Sequence, residues 1–289
     1  MTTAPCLVLG MHRSGTSAMT EALGAAGMAL GPAESLVPAA PTNPHGHFEQ
    51  YPVLHLNEML IRNRGARATT PWAMRESPLS ARERRAVEEA FAALGPADSL
   101  VVKDPRLCLT LPLLAAYWGA MPRFIIIARH PTEVAASLYA RDHLPVEMGE
   151  YLWLEYMTQA IRHTNGHPRT IIHYADLLAA PEAQVERALD AFGITGSTRI
   201  ATVDTDLRHH HEPRAIGVAA AQHTWEALAS PGVAAGDPLP GHCALSPDEL
   251  AHRTRLLRES RRVRARVRRA RRRGITTTVA MRLRRESTW

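Results

Sequence analysis

Four short apolar runs punctuate the chain: Cys6-Leu7-Val8-Leu9, Leu100-Val101-Val102, Phe124-Ile125-Ile126-Ile127 and Thr170-Ile171-Ile172-His173-Tyr174. None alternates apolar with polar, so they predict strands covered on both faces, as in a parallel sheet. Helical signals fill the gaps between them. One helix is expected after Ser14-Gly15. Another opens at Ser80-Ala81-Arg82-Glu83, where serine and glutamate can exchange hydrogen bonds with the backbone, and stops at Gly95-Pro96. A third starts at Pro131 and runs through Val134 and Leu138, and a fourth runs from near Pro181 to Gly193. Tyr151-Leu152-Trp153-Leu154-Glu155-Tyr156-Met157 reads as a helix packed on the sheet, with acceptor stacking open to one of its faces. Strand–helix alternation of this kind predicts a three-layer α/β/α fold around a central parallel sheet.

Two stretches break the alternation. Residues 31–47 hold Pro32, Pro38, Pro41 and Pro44 with Gly31 and Gly46, a pattern typical of lids and substrate-binding loops. Residues 209–245 are rich in Ala, Gly and Pro and read as a flexible linker. Ser246-Pro247-Asp248-Glu249 then caps a last helix. The expected organisation is therefore an α/β domain over 1–208, the linker over 209–245 and an Arg-rich helical tail over 246–289.

Composition sharpens this picture in three places. With 45% hydrophobic and 21% charged residues over 289 positions, a mainly disordered chain is excluded. No apolar run approaches the roughly 20 residues that span a bilayer. Met1-Thr2-Thr3-Ala4-Pro5 lacks a basic leader, and Cys6, Cys108 and Cys243 neither pair completely nor show metal spacing. A reducing, cytoplasmic setting is the simplest reading. Charge is unevenly divided: residues 251–289 carry 15 Arg and 2 Glu, whereas the rest of the chain is net negative, although the whole is +6. Finally, Lys103 is the single lysine among 34 basic residues. A site that wants a compact, mobile ammonium would keep a lysine against an arginine bias.

The strongest chemical signal follows the first strand. In Gly10-Met11-His12-Arg13-Ser14-Gly15-Thr16-Ser17, two glycines five apart let main-chain N–H groups turn inward at the start of a helix, an anion cradle. It is like the nucleotide P-loop, but Thr16 stands where that loop has lysine, and the charge has moved to Arg13.

This loop resembles the 5′-phosphosulfate loop of sulfotransferases that use 3′-phosphoadenosine 5′-phosphosulfate (PAPS). A second segment is similar too: Arg129 at the end of the third strand, with Ser137 eight residues on, matches the pair that holds the donor's 3′-phosphate. Asn43-Pro44-His45-Gly46-His47-Phe48-Glu49, Lys103-Asp104-Pro105-Arg106, Tyr174-Ala175-Asp176-Leu177 and Asp206-Leu207-Arg208-His209 resemble bacterial members, and the likeness covers roughly residues 5–210. It implies PAPS as sulfuryl donor, bound by Arg13, Ser14, Gly15, Thr16, Ser17, Arg129 and Ser137, and a hydroxyl on a small-molecule or carbohydrate acceptor. Transfer would be in line, and no metal clamp is expected because a sulfuryl group carries less charge than a phosphoryl. Arg13 would offset charge as the bond breaks, and Lys103 would donate to the sulfuryl or bridging oxygen. Glu49 is the candidate base, with His47 its rival and His12 behind both. A plain helix N-terminal charge is the other reading of Glu49, and Asp104 and Arg106 either bind acceptor or pair with each other. His209-His210-His211 read as a polar loop, not a metal site.

Two other readings compete. A nucleotide kinase would use the same loop with Asp104 for Mg²⁺, though the missing P-loop lysine weighs against it. A non-catalytic nucleotide-binding module could instead be targeted by its tail, where 12 Arg lie between Arg253 and Arg273 beside Leu256, Val263, Val267 and Ala270. Such a helix suits an anionic membrane surface or an acidic partner, at the inner face of the membrane, more than a specific nucleic acid, since no aromatic intervenes before Trp289.

Overall fold

The structure is a computed structural model that describes residues 4–39, 46–95, 100–118, 120–194, 214–240 and 244–272, with side chains of the last helix described to residue 262. Its centre is a four-stranded parallel sheet of β1 (Cys6–Leu9), β2 (Val101–Lys103), β3 (Arg123–Ala128) and β4 (Arg169–His173), in the order β2-β1-β3-β4. Each apolar run expected to be a strand is one, shifted by at most a residue at its ends. Both faces are covered, which explains the continuous apolar pattern. Leu7, Leu9, Val102, Phe124, Ile126 and Ile171 share one core. Cys6, Val8, Val101, Ile125, Ile127 and Ile172 share the other. Neighbours in each strand thus face opposite layers.

Helices complete the layers. The second core is closed by α1 (Thr16–Ala25), through Ala18, Met19, Ala22 and Leu23. The first is closed by α2 (Tyr51–Asn63), α3 (Ala81–Ala92), α4 (Leu107–Leu114), α5 (Pro131–Asp142) and α6 (Val146–His163). At the head of α3 the expected capping box is present: the Ser80 hydroxyl accepts from Glu83 N, and the Glu83 carboxylate accepts from Ser80 N. Two helices follow β4: α7 (Tyr174–Ala179) and α8 (Pro181–Asp190), which buries Val185, Ala188 and Leu189.

Residues 214–240 differ from the linker that their composition suggested. They carry α9 (Ala219–Ala227) and α10 (Pro231–Ala235), and Val218, Ala220, Ala221, Leu228 and Val233 are buried in the first core. Two charged side chains hold the segment. Glu150 accepts from Gly217 N and Val218 N at 2.9 Å each, and the buried Arg169 guanidinium reaches the carbonyls of Val233 and Asp237. An Ala-rich stretch packs here because small side chains let α9 lie close against α6. The last helix, α11 (Pro247–Arg272), is anchored at its base: His252 Nδ1 meets the Tyr151 hydroxyl at 3.1 Å, and Arg253 lies 4.6 Å over the Trp72 ring. His209-His210-His211 and the boundary expected at residue 208 lie outside the described residues. Among the described residues no helix is long and apolar enough to cross a membrane.

Candidate active site

Strand order decides where a ligand can sit. From β1 the chain moves to β2 on one side, then crosses back to β3 on the other, so the loops leaving β1 and β3 diverge and open a crevice at their carboxyl ends. The Gly10–Ser17 loop and Arg129 leave the sheet at this switch point.

The loop is built by residues that tolerate unusual backbone. Gly10 has φ 146°, Arg13 φ 69° and Gly15 φ 93°. A Cβ on Gly15 would lie 2.1 Å from the Tyr174 ring, and one on Gly10 would lie 2.7 Å from the Ile127 carbonyl oxygen. Both positions therefore need glycine for space as well as torsion. Arg13 pays strain there, a common signature of a functional loop. Cys108 braces the entrance, its Sγ accepting from Gly10 N at 3.3 Å. The start of α1 has no side-chain cap and no acidic residue in its first turn, which leaves its positive end uncompensated.

The structure brings together the two segments that the resemblance assigns to the donor. Arg13 Nε donates to Ser137 Oγ at 2.9 Å, and Arg129 Nη1 donates to the Arg13 carbonyl at 3.1 Å. Arg129 is itself fixed on three sides: its Nε donates to Glu133 at 2.9 Å, its guanidinium lies 4.6 Å over the Tyr174 ring, and its carbonyl accepts from Trp153 Nε1 at 2.9 Å. Arg129 Nη2 and Ser14 Oγ are nevertheless buried without a hydrogen-bond partner among the described residues. Burial, then Arg141 and Arg129, push Arg13 below its ordinary range. Arg13 and Arg129 thus crowd positive charge at the switch point, with donors that have no partner among the described residues, an arrangement complementary to an anion.

A second constellation adjoins the first. Lys103 ends β2 and pairs in register with Val8, whose side chain faces α1, so the ammonium emerges on the α1 side. There it donates to Ser17 Oγ at 3.0 Å and to Glu49 Oε1 at 2.6 Å. Lys103 is 1% exposed and Glu49 7%. Burial pulls Lys103 below its ordinary pKa, and Glu49 pulls the other way. Glu49 is held from behind, its carbonyl accepting from Val37 N at 2.8 Å, and it precedes α2 by one residue, Gln50. Its charge goes to Lys103 and not simply to the helix end. Glu49 Oε2 is buried with no hydrogen bond among the described residues; His47 Nδ1 stands 3.8 Å away. Burial lowers the pKa of His47, against an opposing pull from Glu49, and lowers that of His12 much further, with Arg106 next in effect. His12 packs edge-on against Tyr156.

The fate of Asp104 and Arg106 is also clear. Arg106 donates to Asp104 Oδ1 through its backbone N and Nη1, at 2.9 and 3.0 Å, and Asn57 donates to Oδ2 at 3.1 Å. They pair with each other. Residues 40–45 of the Pro-rich loop lie outside the described residues. A cavity of about 1000 Å³ is lined by Trp72, Met74, Leu109, Tyr151, Leu154 and Arg253 among others; it meets the Tyr151–Met157 stretch but none of the candidate donor-binding or catalytic residues. Sequence reasoning missed the braces: Cys108, Glu133 and Trp153. Of these only Glu133 left a trace, four residues after Arg129 on a helix.

Fold and site together define an α/β protein with a glycine-bearing loop and two arginines at the switch point of a parallel sheet. The chain belongs to the Sulfotransferase family, whose model matches residues 5–198, and this places it among the transferases. Solved structures similar to it include the sulfotransferase domain of the Synechococcus PCC 7002 olefin synthase, 17% identical with a TM-score of 0.45, over 79% of this chain and 96% of that one. The sulfotransferase domain of the curacin biosynthetic pathway is 15% identical with a TM-score of 0.45, over 78% and 96%. A sulfotransferase of Mycobacterium tuberculosis H37Rv is 17% identical with a TM-score of 0.42, over 73% and 72%. No curated protein matches the chain.

Proposed function

We propose that the protein transfers the sulfuryl group of PAPS to a hydroxyl of a small-molecule or carbohydrate acceptor. The observation that carries this reading is the junction of the Gly10–Ser17 loop with the Arg129–Ser137 segment, with Arg13 on Ser137 and Arg129 buried beside them with a donor that has no partner among the described residues. When bound, PAPS supplies a sulfuryl group activated by its 5′-phosphate. Main-chain N–H groups of Gly15, Thr16 and Ser17, with Arg13, would hold the 5′ end; Arg129 and Ser137 would hold the 3′-phosphate. Glu49 takes the acceptor proton. Its Oε2, buried without a hydrogen-bond partner among the described residues, is an acceptor atom that a hydroxyl can satisfy, and His47 Nδ1 stands 3.8 Å from it. Lys103 offers an ammonium between Glu49 and the loop.

The kinase reading loses its central residue, since both Asp104 oxygens are engaged by Arg106 and Asn57. Calorimetry with 3′,5′-adenosine bisphosphate tests the proposal: tight binding in the absence of Mg²⁺ is expected, and a requirement for Mg²⁺ with preference for ATP would overturn it. Arg255, Arg258, Arg261 and Arg262, exposed on α11 beyond its anchored base, and the arginines that follow in the sequence we read as a device for an anionic membrane surface.

A further inference from the structure

We propose that Lys103 is a latch on Glu49: in the free protein its ammonium holds the carboxylate, and it moves to the anion seated in the Gly10–Ser17 loop, releasing Glu49 for the acceptor hydroxyl. The inference rests on the donor reading above and adds to it an order of events.

Three observations carry it. First, one ammonium bridges the two halves of the site, 2.6 Å from the base and 3.0 Å from Ser17, a residue of the anion loop. Ser17 passes the contact on, its hydroxyl donating to the His47 carbonyl at 3.2 Å, so loop, lysine and base segment form one chain of hydrogen bonds. An anion in the loop therefore competes with Glu49 for the same cation. Second, the cation is the one lysine among 34 basic residues. A guanidinium is a planar fork that fixes its partners, whereas an ammonium on a four-carbon stem can exchange one oxygen for another by bond rotation. Third, Glu49 is half-satisfied. Lys103 occupies Oε1, while Oε2 has no hydrogen-bond partner among the described residues. The oxygen held this way is closed to a hydroxyl until the ammonium leaves. Binding of the donor before the acceptor follows from this arrangement, because the latch opens only when the loop fills.

Linkage makes the latch measurable. If filling the loop costs the Lys103–Glu49 contact, then removing the charge of Glu49 must tighten anion binding by the same factor. The lone lysine gives a direct probe, because protein labelled with ¹⁵N-lysine carries a single side-chain Nζ signal. The experiment titrates 3′,5′-adenosine bisphosphate into wild type and Glu49→Gln, following Nζ by NMR and affinity by calorimetry. The expected result is a shift of the Nζ signal on saturation of wild type, an unliganded Glu49→Gln signal already displaced in the same direction, and binding roughly 5- to 50-fold tighter in the variant. An Nζ signal unmoved by saturating nucleotide would overturn the latch, even with tighter binding, since lost repulsion alone would then explain the gain. Equal or weaker binding by Glu49→Gln would overturn it too. Absence of binding to wild type would instead bring down the donor reading, and the latch with it.

Discussion

Glu83 and Glu49 are both buried, and each meets a cation at short range, Arg64 Nη1 at 3.0 Å from Glu83 Oε1 and Lys103 Nζ at 2.6 Å from Glu49 Oε1. Around Glu83 both oxygens are used: Oε1 also accepts from Asn63, and Oε2 accepts from the Ser80 backbone N and hydroxyl. Burial favours its neutral form, but these hydrogen bonds outweigh burial and hold its pKa at about 2. Around Glu49 one oxygen is used and the other has no hydrogen-bond partner among the described residues. A buried pair that serves only the fold has its remaining lone pairs matched, because an unmatched one costs stability and returns nothing. The unmatched oxygen of Glu49 is tolerable where a substrate arrives to match it.

The contrast is broken most sharply by removing one charge from each pair. Glu49→Gln should lower turnover by about 10²- to 10⁴-fold, the usual worth of a general base, while keeping nucleotide binding. Glu83→Gln should leave turnover within about two-fold, read by the same steady-state assay. Next in size is Arg129→Met. It removes a guanidinium worth roughly 1.5–3 kcal/mol per charged hydrogen bond, so nucleotide affinity should fall by about 10- to 100-fold in calorimetry.

Smaller effects sharpen the stability side. The carboxylate of Glu83 is favoured in the folded state, so its contribution is present above the unfolded value of 4.5 and is lost as pH falls toward about 2. Glu83→Gln should cost about 2 kcal/mol at neutral pH, discounted for nearby solvent, and the gap to wild type in urea denaturation should close through that acid window. The smallest effect is expected from removing residues 263–289. His252 and Arg253 anchor the helix upstream, so the cut should leave turnover of a soluble acceptor within about two-fold and abolish co-sedimentation with anionic vesicles. A cut at residue 251 should instead destabilise the domain.

What the sequence made legible follows from range. The strands were readable because burial on both faces leaves an unbroken apolar run, and the loop because glycine spacing is local. α4 was not, since Pro112 lies inside a helix of eight residues. α9 was not, since its alanines read as linker until α6 is there to pack against. In the site, Glu49 and Lys103 were each visible as candidates. Their contact was not, because 54 residues separate them and only the β1–β2 register turns the lysine toward α1. The Arg13–Ser137 contact spans 124 residues and was foreseen only as two ends of one donor site.

The most direct test of the account is to incubate wild type and Glu49→Gln with PAPS and fractionated metabolites and to follow the sulfuryl group into products by mass spectrometry. The account predicts a sulfated product with wild type and almost none with the variant, although the variant still binds the nucleotide. No sulfated product with wild type, or full product formation by the variant, would contradict it.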